Sequence, residues 1–176
     1  MSPTNYRRYV LFILMGVYAF NFIDRQLLVI LQESIKKELT LSDTQLGLLT
    51  GFAFAMFYVT LGIPLARLAD KSNRRNIVAI SLTLWSGVTA LTGMAFNFTQ
   101  LLLARIGVGI GEAGCSPQSH AIISDYYPIE KRATALSIYS LGIYVGIFIG
   151  YLGGALINQY YGWRIAFFAK IGRAHV

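Results

Sequence analysis

Apolar positions in this chain fall in long blocks, not in the alternation of a half-buried strand. The blocks cover residues 9–31, 45–66, 76–96, 101–123 and 133–157, and another begins at Trp163. A helix needs about 20 apolar residues to cross the hydrocarbon of a bilayer. These blocks are of that length and too uniformly apolar for barrel strands, and in hydrocarbon every backbone polar group must find an internal partner. The pattern therefore predicts an all-α membrane protein: a helical bundle of five transmembrane helices plus the start of a sixth. Pro117 lies inside the fourth block and predicts a kink there. Glycine is concentrated in the fourth and fifth blocks, which hold nine of the 17. Gly142, Gly146 and Gly150 recur every four residues, which lines them along one helix face and lets a second backbone approach. Gly47 and Gly51 echo this in the second block. The echo fits an inverted three-helix repeat, and tight helix packing accounts for the same glycines equally well.

Composition agrees with a bilayer setting. Of 176 residues, 55% are hydrophobic and 13% charged, against roughly 25% charged in an ordinary soluble domain, and the mean hydropathy is +0.55. The net charge of +7 does not point to nucleic acid, because Lys and Arg sit in short clusters between apolar blocks. They read as topology signals. Arg7, Arg8, Arg67, Lys71, Arg74, Arg75, Lys131 and Arg132 fall on one side of the spans, and Lys36, Lys37 and Arg164 on the other. By the positive-inside rule the N-terminus, residues 1–8, is cytoplasmic. Tyr126, Tyr127, Tyr160, Tyr161 and Trp163 near span ends fit an interfacial aromatic belt. No small-residue cleavage pattern follows the first block, so it reads as a retained helix and not a secretory signal. A bacterial inner (plasma) membrane is the expected location.

Residues 9–169 form the expected transmembrane bundle. Residues 170–176 break the sixth block with Lys170, Arg173 and His175, and 171–176 look like the translation of a sequencing-library adapter. That tail is excluded from functional reasoning.

Cys115 is alone, so no intrachain disulfide or paired-cysteine metal site is expected. No phosphate loop, paired-histidine motif, nucleophile elbow or dinucleotide fingerprint occurs. Ser116 and His120 are one turn apart, but no carboxylate orients the histidine. The chain reads as a non-enzyme with no metal and no cofactor.

The chemistry rests on charges inside apolar blocks, each of which costs about 2.5 to 3.5 kcal/mol at a helix centre on insertion scales. Asp24 and Arg25 interrupt the first block, and Arg105 and Glu112 lie in the fourth. Arg105 and Glu112 are two turns apart and share a face with Gly109 between them. Neighbours on a helix point about 100° apart, so the natural pairings are Asp24 with Arg105 or Arg25 with Glu112. A buried carboxylate near a cation feels desolvation and attraction in opposition, so rearranging such a pair can bind or release a proton. A static pair that fixes helix packing is the alternative. Arg25 could also hold an anionic head group through forked hydrogen bonds.

Between the second and third blocks, Arg67, Asp70, Lys71, Arg74 and Arg75 make a charged loop that can latch onto another helix end. Between the fourth and fifth, Asp125, Glu130, Lys131 and Arg132 make a second, with Pro128 at the break.

The loop at 66–75 resembles the signature loop of the major facilitator superfamily, with Asp70, Lys71, Arg74 and Arg75 at its charged positions and Ala66 and Asn73 replacing its usual glycines. The glycines from Gly142 to Gly154 resemble a fifth-helix motif of exporters and antiporters of that superfamily, with Tyr151 in place of its proline. Gly162, Trp163 and Arg164 look like the common entrance to its sixth helix. Asp24, Arg25 and the run 105–114, Arg-Ile-Gly-Val-Gly-Ile-Gly-Glu-Ala-Gly, look like the Spinster branch, and 135–139 with the 125–132 turn fit it as well. This resemblance implies a twelve-helix fold, of which a C-terminal half lies outside this sequence. It implies Asp24 and Glu112 as proton acceptors, Arg105 as the partner tuning Glu112, Arg25 as a head-group contact, and Asp70 and Arg74 in a cytoplasmic latch. Animal members carry lysophospholipids or sphingosine phosphate, and bacterial relatives are thought to be proton-coupled.

The expected function is thus secondary active transport by alternating access, coupled to protons, of a small organic or lysolipid-like anion, with the bilayer, the solute, protons and the second half as partners. A structural or assembly subunit whose buried charges pair with another protein is the rival from a different class.

Overall fold

The computed structural model describes residues 3–70 and 73–171; the side chains at 3, 53, 65–66, 68–70 and 169–171 lie outside that description, as do residues 1–2, 71–72 and 172–176. Helix α1 runs Pro3–Leu39, beyond the apolar block, because Glu33, Lys36, Lys37 and Glu38 continue it as good helix formers. It ends at Thr40, whose φ is +50°. Ser42 then starts α2 (Asp43–Gly47) with a capping box: its hydroxyl accepts from Gln45 N–H while the Gln45 side chain accepts from Ser42 N–H. The helical path widens to a π turn over Leu48–Phe52 and resumes as α3, Ala53–Asp70. Helix α4 (Arg74–Gly93) is capped by Asn73, whose side chain accepts from Arg75 N–H.

The fourth expected span is two helices, α5 (Phe98–Ala113) and α6 (Ser116–Tyr126), broken at Gly114 and Cys115. Pro117 is the cause. It lacks an N–H and its ring would clash with the carbonyl four residues back, but it is tolerated in a first turn, so α6 restarts around it. Helix α7 (Ile129–Tyr161) then runs unbroken for 33 residues and stops at Gly162, where φ is +82°. Helix α8 is Trp163–Ile171.

Among the described residues, Thr4–Leu39, Asp43–Pro64, Arg74–Gly93 and Ile129–Tyr161 are each long and apolar enough to cross a membrane. Helices α5 and α6 lie end to end over the fourth apolar block, and α8 begins at the sixth. The chain is an all-α membrane bundle of the kind the apolar blocks describe.

Helix α1 packs closely along α7. A Cβ on Gly142 would lie 2.6 Å from the Met15 carbonyl oxygen, one on Gly146 would collide with the Ala19 carbonyl, and one on Gly150 would lie 3.0 Å from Gln26 Cβ. The fourfold glycine spacing thus faces backbone on backbone. Helices α4 and α5 cross as closely, since a Cβ on Gly111 would lie 2.6 Å from Trp85 Cβ. One apolar core gathers Leu27, Leu31, Ile35, Leu49, Leu101, Trp163 and Phe167 at one end of the bundle. Another joins Leu11, Leu14, Ile123, Ala135 and Tyr139 toward the other end. Trp163 is buried in the first of these and so does not join the aromatic belt, whereas Tyr126, Tyr160 and Tyr161 are exposed. Val59, Ile63, Ile80, Leu103, Tyr144 and Phe148 are exposed on the outer faces, which suits a lipid surround and not water.

Candidate functional site

The polar residues inside the bundle meet where α1, α3, α4 and α5 pass one another. Glu112 is fully buried and accepts from Arg25 Nε at 3.0 Å through Oε2. Its other oxygen, Oε1, has no hydrogen-bond partner among the described residues. Arg25 reaches from α1 to the edge of an open face, its side chain 27% exposed. Its guanidinium lies 5.3 Å from the Phe22 ring, 4.8 Å from Phe54 and 5.1 Å from Tyr58, within cation–π range of all three.

Of the two pairings the spacing allows, the structure makes Arg25 with Glu112. Arg105 is buried and directs Nε to the Leu49 carbonyl oxygen at 3.3 Å, with its guanidinium 4.5 Å over Phe54. Leu49 lies in the π turn, a feature that recurs at functional sites because it displaces the regular ladder. Asp24 is buried and accepts from Trp85 Nε1 at 2.5 Å. Arg105 remains in electrostatic reach of Glu112, Asp24 and Arg25, so the four groups form one charge system.

Sequence reasoning missed Trp85. The signal was available: an indole deep in an apolar helix carries an N–H that needs an acceptor, and Asp24 is such an acceptor in a neighbouring block. Placing Trp85 requires the α4–α5 crossing that Gly111 permits, which periodicity does not reveal.

At one end of the bundle, Arg74 at the start of α4 pairs with Asp125 near the end of α6, joining the two charged loops. Both side chains are substantially exposed, and such a pair contributes about 0–1 kcal/mol, small enough to open and close. Arg132 Nε donates to the Tyr127 carbonyl at 3.0 Å, which closes the α6–α7 turn. Glu130 sits in the first turn of α7, where a negative charge suits the helix dipole. Arg75 lies in the first turn of α4 behind its cap. The Asp70 side chain and Lys71 fall outside the described residues.

A second cluster closes the opposite end. Arg164 Nε and Nη2 grip Glu38 Oε1 at 3.0 and 2.8 Å, its Nη1 donates to the carbonyls of Gly93 and Ala95 at 3.0 and 2.6 Å, and Trp163 Nε1 donates to Glu38 Oε2 at 2.6 Å. One guanidinium thereby ties α1, the end of α4 and the start of α8.

Comparison with known proteins places these features. The Major Facilitator Superfamily model matches residues 14–171. An MFS-type efflux pump of Mycolicibacterium smegmatis is 40% identical over 86% of this chain and 35% of its own length. Protein spinster homolog 1 of Xenopus laevis is 31% identical over 88% of this chain and 30% of its own. The crystal structure of a bacterial homolog to the human lysosomal transporter Spinster, inward-facing and unoccupied, superposes with a TM-score of 0.82 at 39% identity, over 94% of this chain and 40% of that one. The chain spans about a third of the length of the curated relatives it matches. With matching motifs, helix order and fold, this multi-pass membrane chain belongs to the Major Facilitator Superfamily and is Spinster-like within it.

Proposed function

We propose that the protein carrying this bundle is a proton-coupled secondary transporter that moves an organic or lysolipid-like anion by alternating access, its solute site lying between this bundle and a second one. The observation that carries the reading is the Arg25–Glu112 bond. It joins a carboxylate closed off from solvent to a cation at the edge of an open face. An anion arriving at that face competes for the Arg25 donors, and a carboxylate that loses its charged hydrogen-bond donor inside a low-dielectric bundle is better off protonated. Solute and proton binding are then linked. Asp24 is the second proton acceptor and Arg105 the cation that adjusts Glu112. The three rings about Arg25 give an apolar flank to whatever the guanidinium holds.

Relatives of the chain support an anionic solute. They include a probable L-galactonate transporter of Escherichia coli and a sphingosine-1-phosphate transporter of Danio rerio, and both named solutes carry an anionic group. On this account the Arg74–Asp125 pair, with Asp70, Lys71, Arg75, Glu130 and Arg132, forms a latch that opens and closes at the cytoplasmic face of a bacterial inner membrane, as the positive-inside count supports.

The test uses the full-length protein in proteoliposomes with an imposed pH gradient and two probes, radiolabelled galactonate and a lysophosphatidylglycerol. The gradient drives accumulation of one of them, and Glu112→Gln abolishes this drive while the variant purifies as a folded, monodisperse protein. Unchanged pH dependence in Glu112→Gln contradicts the proton role.

A further inference from the structure

Besides Thr89 Oγ1 on α4, three side chains in the bundle interior carry polar atoms with no hydrogen-bond partner among the described residues: Glu112 through Oε1, Asn21 through both amide atoms, and Gln118 through Nε2. They are 0%, 1% and 2% exposed. Such groups are rare in folded proteins, and ordered water commonly meets them in a polar site with room for it. Their burial is complete inside this bundle alone, so no second bundle can reach them.

The three lie on two facing walls, one along α1 and the other across the α5–α6 junction. On α1, Asn21 is one turn from Arg25, which bonds Glu112, and nearly one turn from Tyr18, which stacks on Tyr139 of α7 at 4.4 Å. On the facing wall, Cys115 follows Glu112 by three residues and Gln118 follows Cys115 by three. Val17 and Phe20 of α1 pack onto the cluster of Val78, Trp85 and Cys115, so the segment bearing Asn21 lies against the α5–α6 junction. Followed away from Glu112, both walls run toward the end where Arg74 pairs with Asp125. Past Gln118, buried Tyr139 meets Ser119, and the exposed imidazole of His120 packs edge-on against Tyr139 at 5.3 Å.

We infer that Asn21 and Gln118 line a hydrated polar path inside the bundle that carries protons between Glu112 and the end bearing the Arg74–Asp125 pair, separate from the open face that Arg25 reaches. The inference rests on the proton role proposed for Glu112. A bound cation does not serve these groups, because the amide nitrogens of Asn21 and Gln118 donate hydrogen bonds and need acceptors. Water supplies acceptors to the amides and donors to the carboxylate, and a chain of such waters conducts protons. The charged and titratable groups facing Glu112 are Asp24 and Arg25 from α1, Arg105 from α5 and Cys115 at the junction, while α4 presents the Trp85 indole. None of these continues the path past Cys115.

The experiment is a pH jump on the full-length protein in nanodiscs, followed by time-resolved infrared spectroscopy of the carboxylic acid C=O band that Glu112→Gln removes. Asn21→Leu, nearly isosteric and apolar, and Gln118→Leu each slow the rise of that band about tenfold or more, equivalent to about 1.4 kcal/mol of barrier. Asn21→Ser, which keeps a polar wall, protonates at close to the wild-type rate. A wild-type rate in both leucine variants overturns the path while leaving the proton role intact. Should Asn21→Leu not fold, Gln118→Leu alone decides. Absence of any Glu112-dependent band overturns the proton role itself, so the two failures are distinguishable.

Discussion

Arg25 and Glu112 depend on each other for a place in the bundle. Removing one partner of a buried pair leaves the other charge uncompensated and costs about 3 to 5 kcal/mol, whereas replacing both with groups of similar shape is often neutral. Arg25→Ala should therefore lower the thermal unfolding midpoint of the purified protein strongly at neutral pH, and Arg25→Met with Glu112→Gln should recover most of the loss. A double variant as unstable as the sum of its single changes would show that the pair is not coupled. Asp24 has a different neighbour. Trp85→Phe removes an indole donor from a buried carboxylate, which should cost about 1 to 3 kcal/mol by the same measurement. The four charges were legible in the sequence because ionisable residues inside apolar blocks have few explanations. Their partners were legible only as two alternatives, since a period of 3.6 residues fixes the face of one helix but not the rotation of its neighbour.

At the scale of elements, the glycines decide how closely helices pass. Gly146 faces the Ala19 carbonyl and Phe22 Cβ, whereas a Cβ on Gly153 would meet nothing within 4 Å. Gly146→Ala should force α1 and α7 apart and destabilise by about 1 to 3 kcal/mol, as overpacking does. Gly153→Ala should be neutral or stabilising by about 0.5 to 1 kcal/mol through helix propensity. Equal effects of the two, read from unfolding midpoints, would rule out close packing as the use of the repeat. The fourfold spacing marks this face in the sequence itself, because residues four apart lie one above another on a helix. The π turn at Leu48–Phe52 carries no such mark, because nothing in Leu-Leu-Thr-Gly-Phe departs from an apolar helix. Pro117 announces a bend but not its form: the chain stops and restarts at Gly114 and Cys115, where a small residue and a turn replace the lost hydrogen bond. The helix ends at Leu39 and Tyr161 lie beyond the apolar blocks because charged and tyrosine residues extend helices past the hydrocarbon as readily as within it.

On the proposed reading, this bundle has a fixed end and a weakly latched one. Arg164 binds Glu38 and two carbonyls through three nitrogens at one end, and the exposed Arg74–Asp125 pair stands at the other. This asymmetry suits a bundle that moves as one body against a second and changes its contacts at the latched end. Arg164→Lys keeps the charge but loses the fork, and should lower the unfolding midpoint more than Arg74→Lys does; the reverse order would contradict the assignment of fixed and latched ends. Fold class and membrane setting were readable from block length and charge alone. The Arg164 cluster was not, because it joins Glu38, 126 positions away, to the backbone carbonyls of Gly93 and Ala95, which no side-chain pattern marks. The central claim, that Glu112 couples proton movement to solute movement, is tested most directly by comparing two assays on full-length protein in the same proteoliposomes: accumulation driven by a pH gradient, and solute counterflow without one. The account predicts that Glu112→Gln loses the first and keeps the second, since solute can still reach Arg25 and the bundles can still rock. Retention of gradient-driven accumulation in that variant would contradict it.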